Sequence, residues 1–126
     1  FFKETREKVI EYALLHWKMA LPPIGATSSL LTQLEHVRKV TGKTPSQLEE
    51  YESKELPKEL AYIYLYFQDF YNGDQFSYTE LQSWQKFIGF DLAYWEAELI
   101  RQLCLERLAF DFKRQQDFIK SQKGKK

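Results

Sequence analysis

The stretch best supplied with ligating side chains runs from Asp69 to Glu80, twelve residues lying between two runs of helical apolar spacing. A loop of that length ending in glutamate is how a calcium-binding loop closes on its ion, with a bidentate carboxylate at the last position and other oxygens at earlier ones. Phe76-Ser-Tyr-Thr-Glu80-Leu81 fits the second half of such a loop. In the first half, the third and fifth positions are Tyr71 and Gly73, which bring no carboxylate, and the sixth, which needs glycine for a sharp turn, is Asp74. Calcium is therefore not expected. His16 and His36 fall on different predicted helices with no cysteine or carboxylate at ligand spacing beside them, so no metal site is expected either. The single Cys104 cannot form an internal disulfide, and its place in an apolar helical run suits a small buried hydrophobe better than a reactive thiol. Nucleophile elbows, phosphate-cradling glycine loops and serine-histidine-aspartate sets are absent, so neither an enzyme nor a cofactor is expected.

A second chemistry is DNA recognition. Leu81 to Leu99 has the spacing of helix, turn at Gly89 and helix. The would-be recognition helix, however, begins Leu92-Ala-Tyr-Trp-Glu96 and continues with Glu98, offering no basic or amide side chain before Arg101 and Gln102. Carboxylates at the groove-facing end would repel phosphates. The segment is read as an αα-corner with Trp84 and Trp95 in the core. A small helix-turn-helix-like DNA-binding or regulatory domain stays as the alternative, with Lys86, Arg101 and the terminal lysines as its sensitive positions.

The third chemistry is recognition of another protein. Tyr62 and Tyr66 lie one helical turn apart, and with Asp69 they fall off the apolar stripe of their helix. Tyrosine offers contact area with a polar tip at low entropy cost, so Tyr62, Tyr66 and Asp69 are the candidate partner-binding residues.

The elements that must position these residues are all predicted helical. Pro57 suits a first helical turn, and Leu60, Ile63, Tyr64, Phe67, Phe70 and Tyr71 follow at i, i+3, i+4, i+7 spacing to a stop at Asn72-Gly73. Ser77-Tyr-Thr-Glu80 is a capping box opening a helix through Leu81, Trp84, Phe87 and Ile88, which Gly89 ends. Asp91 can cap a longer helix through Leu92, Trp95, Leu99 and Leu103. Upstream, Val9, Tyr12, Ala13, His16, Trp17 and Ala20 stripe a helix from about Lys3 to Ala20, which Pro22 and Pro23 end. Leu30, Leu34, Val37 and Thr41 stripe a second helix, stopped at Gly42. Thr44-Pro45-Ser46-Gln47 then starts a short helix with Thr44 as its cap, in an acidic region holding Glu49, Glu50, Glu52 and Glu55. The pattern persists past Phe110 towards Ile119, and the end, Lys120 to Lys126, reads as a frayed basic tail.

The expected fold is therefore all-α, a single domain over residues 1–126 of five to six helices with an αα-corner and a long C-terminal helix. Its parts are N-terminal helices over 1–55, an aromatic-rich helical module over 56–112 and a basic tail over 113–126. A chain of 126 residues can bury about two thirds of its unfolded surface. Eighteen basic and eighteen acidic residues balance, which leaves no global field to draw nucleic acid or a membrane surface. No signal peptide and no apolar run long enough to cross a bilayer is found, so a soluble protein in a reducing compartment is expected. The sequence opens Phe1-Phe2-Lys3 and its only methionine is Met19, which places the expected natural start upstream.

One family shares much of this pattern. Leu56-Pro-Lys-Glu-Leu-Ala-Tyr62, Tyr66-Phe67, Phe76-Ser-Tyr-Thr-Glu-Leu-Gln-Ser-Trp84, Ile88-Gly89-Phe90-Asp91-Leu92 and Tyr94-Trp95-Glu96 resemble the tail assembly chaperones of long-tailed, siphophage-like bacteriophages. Leu34-Glu35-His36-Val37-Arg38 with Thr41-Gly-Lys-Thr-Pro45 resembles the segment preceding that module, so the likeness spans Leu31 to about Phe110. Tyr64 and Tyr66 stand where tryptophan is common in the family. The resemblance implies a holdase that coats the tape measure protein and helps tail tube subunits assemble around it, in the host cytoplasm and not in the finished virion. Independently of the resemblance, the residues lead us to expect no cofactor, no nucleic acid and no membrane, and they leave a homo-oligomer open.

Overall fold

The computed structural model describes residues 2–124, and among them it holds six α-helices, one short 3₁₀ turn and no strand. Helix α1 spans Phe2–Ala20, α2 Leu30–Thr41, α3 Ser46–Ser53, α4 Ala61–Phe70, α5 Tyr78–Ile88 and α6 Tyr94–Lys123, with the 3₁₀ turn Lys58–Leu60 leading into α4. No helix among the described residues is long and apolar enough to cross a membrane.

The frame is made by α1, α4 and α6. Buried positions on α1 are Val9, Ala13 and Trp17, and on the α4 segment Leu60, Ile63, Tyr64 and Phe67. On α6 the buried stripe is Glu96, Leu99, Ile100, Leu103 and Cys104, which is the i, i+3, i+4, i+7, i+8 face of a helix. The three helices run in the same sense. Tyr12, past the middle of α1, meets Tyr64 near the start of α4, Trp17 meets both Phe67 and Phe110 further along, and beyond the end of α1 Arg114 Nη1 donates to the Pro22 carbonyl at 3.0 Å. Helix α5 enters this core through Leu81.

Helices α2 and α3 form a flank. The expected stripe on α2 is not covered: that helix buries no residue, Leu34 is half-buried, Val37 is exposed and Val40 is 68% exposed. A bidentate ion pair from Arg38 Nη1 to Glu52, at 2.8 and 2.9 Å, ties it to α3, whose Leu48 is buried.

The helix ends depart from the sequence reading in ways that backbone geometry explains. Pro57 opens a 3₁₀ turn, and the α-helix starts at Ala61. Thr44 does not cap α3; Pro45 occupies the N-cap with extended ψ and no side-chain bond, so the threonine hydroxyl sits one residue too early to reach an orphan N–H. Asp91 is likewise too early for α6. Ala93 holds the N-cap, and the Glu96 carboxylate accepts its N–H at 2.7 Å. Ser77 does cap α5, its Oγ accepting Glu80 N–H at 3.3 Å, and Ser29 does the same for α2 with Thr32 N–H at 3.1 Å. Gly89 ends α5 at φ 75°, with the N–H groups of Gly89 and Phe90 both on the Gln85 carbonyl. Helix α6 continues through Lys123, into the stretch that the sequence reads as a basic tail. Phe1, Lys125 and Lys126 lie outside the described residues.

Candidate partner-binding surface

Aromatic rings form two connected sets. One is the core set, in which Trp17 packs with Phe67 and Phe110, and Tyr64 joins Tyr12 to Phe67. The other is a seam joining α4 to α5 and to the start of α6. Tyr66 meets Tyr62, Trp84 and Phe90 at centroid distances of 6.0, 5.3 and 5.3 Å, and Phe70 meets Trp84 and Phe76 at 5.8 and 6.2 Å. Most of these pairs are edge-on, the arrangement in which the positive rim of one ring faces the negative face of the next.

Tyr62, Tyr66 and Asp69 are brought together in this seam, though not as an open face. The Tyr62 hydroxyl donates to the Glu96 carboxylate, whose other oxygen holds the start of α6. Burial, followed by that carboxylate, pushes the Tyr62 phenol up to about 12. Asp69 is exposed and accepts the indole N–H of Trp84 at 2.8 Å, which fixes the ring plane. Both tyrosines are half-buried. The three residues therefore bind α4 to its neighbours.

The tryptophans of the α5–α6 corner differ: Trp84 packs against the core from the seam, whereas Trp95 lies off it. Trp84 is half-buried in the seam and Trp95 is 38% exposed, because the buried face of α6 begins at Glu96 and leaves the preceding residue off it. What sequence reasoning missed is Phe87, 90% exposed, and Tyr94, 79% exposed, with Phe90 beside them in the chain. A signal existed for Phe87: Leu81, Trp84, Gln85 and Ile88 share one helical face, and Phe87, six residues after Leu81, falls roughly 120° away from it.

Beside the seam is a cleft of about 460 Å³ between the end of α4, the connection 72–76 and α5. Phe70, Tyr71, Phe76, Trp84 and Phe87 line it, Asp74 and Glu80 face it, and Cys104 of α6 is also part of its wall. Burial pushes that thiol up to about 12, so it is no thiolate nucleophile at neutral pH. His16 is stacked on Tyr12 at 3.8 Å and its pKa is lowered by burial, whereas His36 lies exposed on α2. What the arrangement can do is bind. It presents the held rings of the seam beside a concave site, a form that ligand and partner sites commonly take.

A family model described as phage tail assembly chaperone matches residues 37–111, more than half of the chain. The match runs from α2 into α6 and so contains the whole seam and cleft. Comparison with curated proteins and with solved structures gave no match.

Proposed function

The chain belongs to the phage tail assembly chaperone family, and from that premise we propose that it is a non-enzymatic chaperone which binds the tape measure protein, the tail tube subunits or both while the tail is built in the host cytoplasm. The observation that carries this reading is the exposed aromatic set Phe87, Phe90, Tyr94 and Trp95, all inside the matched residues and all on or between the rigid helices α5 and α6. A holdase must offer apolar surface that it does not need for its own core, and Phe87 is such a side chain. Tyr62, Tyr66 and Asp69 belong to the surface as its supporting half: Tyr66 backs Phe90, Asp69 orients Trp84, and Tyr62 holds the start of α6. Aromatic side chains have only two χ angles and so lose little entropy for the area they bury on binding, which favours them as hot spots.

The test is capture of the tape measure and tail tube proteins of the same phage by the immobilised full chain. Wild type should retain at least one of them, and Phe87→Ser with Tyr94→Ser should weaken that retention by roughly 2 kcal/mol or more, the hot-spot range. Equal retention by this variant would remove the aromatic edge from the reading.

A further inference from the structure

Deepening the partner reading above, and resting on it, we propose that the cleft between α4, the connection 72–76 and α5 receives a lysine or arginine side chain from a tail-protein segment, seated against Trp84 and Phe87 with Asp74 and Glu80 as its counter-charges. The cleft of about 460 Å³ has the size of a ligand site. Its Trp84 wall is set before any partner arrives, and Phe87 stands free at its edge. Trp84 is held by its indole bond to Asp69 and by Phe70, and Phe70 in turn packs on Phe76. The connection is shaped by Gly73 at φ 92° and by the bond from Asp74 N–H to Asn72 Oδ1 at 3.1 Å.

Charge complementarity selects the occupant. No residue lining the cleft is basic, while the exposed carboxylates of Asp74 and Glu80 both border it and form no ion pair among the described residues. A purely apolar visitor would fill the aromatic wall and leave both carboxylates unused. A cation on an aliphatic stem satisfies both, because the stem packs on the rings, the head sits over a ring face and the acids neutralise it. Since the whole chain has no net charge, this local field is what distinguishes a basic segment from an acidic one.

The experiment uses the full chain and two synthetic helical peptides, one carrying lysine and leucine at helical spacing and one with glutamate at each lysine. The readout is the NMR signal of the Trp84 indole N–H, assigned with Trp84→Phe. The lysine peptide should shift that signal, bind more weakly as salt rises, and lose about tenfold in affinity in Asp74→Asn with Glu80→Gln, a variant whose changed side chains are exposed. Equal binding of the two peptides, an unmoved Trp84 signal, or full affinity in the neutral variant would overturn the proposal. Capture of tail proteins separates this failure from a broader one. If wild type and the neutral variant hold them equally, the chaperone reading stands and the cleft is not the receptor; if wild type holds none, both fall.

Discussion

The hydroxyl of Tyr62 links two helices through one carboxylate, because Glu96 accepts both from that phenol and from the backbone N–H that opens α6. Such a bond has a pH signature. Burial and then the Glu96 carboxylate push the Tyr62 phenol up to about 12, and burial and then the Asp111 carboxylate do the same for Tyr71. The neutral phenol is thus the form that the fold favours. The unfolded chain releases these protons near pH 10, whereas the folded chain keeps them to about 12, so their contribution is complete below about pH 10 and is lost between about 10 and 12. The urea midpoint should therefore drop steeply on going from about pH 8 to about pH 11, and Tyr62→Phe with Tyr71→Phe should flatten that drop. An identical drop in the double variant would assign the alkaline loss elsewhere. The tryptophans separate by burial in the same way. Trp17, 5% exposed, should cost about 3 to 5 kcal/mol when cut to alanine, and Trp95, 38% exposed, clearly less; denaturant midpoints for the two variants check the order.

Helix ends give the predictions at the scale of elements. Ser77→Ala and Ser29→Ala each remove an observed cap and should lower stability by about 1 kcal/mol, while Thr44→Ala should change it by less than about 0.5 kcal/mol because that hydroxyl caps nothing. Gly89→Ala puts a Cβ on a residue at φ 75°, where space is open but the backbone is strained, and should cost roughly 1 to 2 kcal/mol. A denaturant series on the four variants tests the set; a Thr44 effect as large as the Ser77 effect would contradict the observed cap. The elements that were legible in the sequence are those in which a single face is apolar. The faces of α1 and α4 could be read from Val9-Ala13-Trp17 and Ile63-Tyr64-Phe67, and the stops at Gly42 and Gly89 from the need for a positive φ. Helices α5 and α6 carry aromatic residues on more than one side, so residue type alone could not fix their rotation, and Trp95 was assigned inward. The proline starts failed for a related reason: a fixed φ suits an N-cap or a 3₁₀ turn as well as a first α-turn, so Pro45 and Pro57 each left the boundary open by a residue or more. Tyr62, Tyr66 and Asp69 were singled out from the spacing of α4 alone. Their partners Glu96, Phe90 and Trp84 lie on segments far along the chain, and nothing local announces those pairings.

At the scale of the molecule, the frame α1, α4 and α6 holds most of the buried core, and α5 is attached to it by Leu81 and by the aromatic seam. This division predicts that folding and binding can be damaged separately. Tyr62→Ala with Tyr66→Ala removes the Glu96 bond and the rings that join Trp84 and Phe90 to α4, so it should lower stability measurably and weaken capture of tail proteins together, contrary to the behaviour of two outward tyrosines. Phe87→Ser removes a side chain that is 90% exposed, so stability should stay within about 0.5 kcal/mol of wild type, with little change in the thermal midpoint, while capture falls. Loss of Lys120 to Lys126 should spare both, since α6 packs on the frame through residues that precede it. Running the three variants side by side in melting and in capture of tape measure and tube proteins gives a pattern that one mechanism alone produces. If the lysine deletion abolishes capture while Phe87→Ser retains it, recognition belongs to the basic end and not to the aromatic edge. If Phe87→Ser melts early, its ring is covered in the folded protein, and the surface proposed for the partner is already occupied by the chain itself.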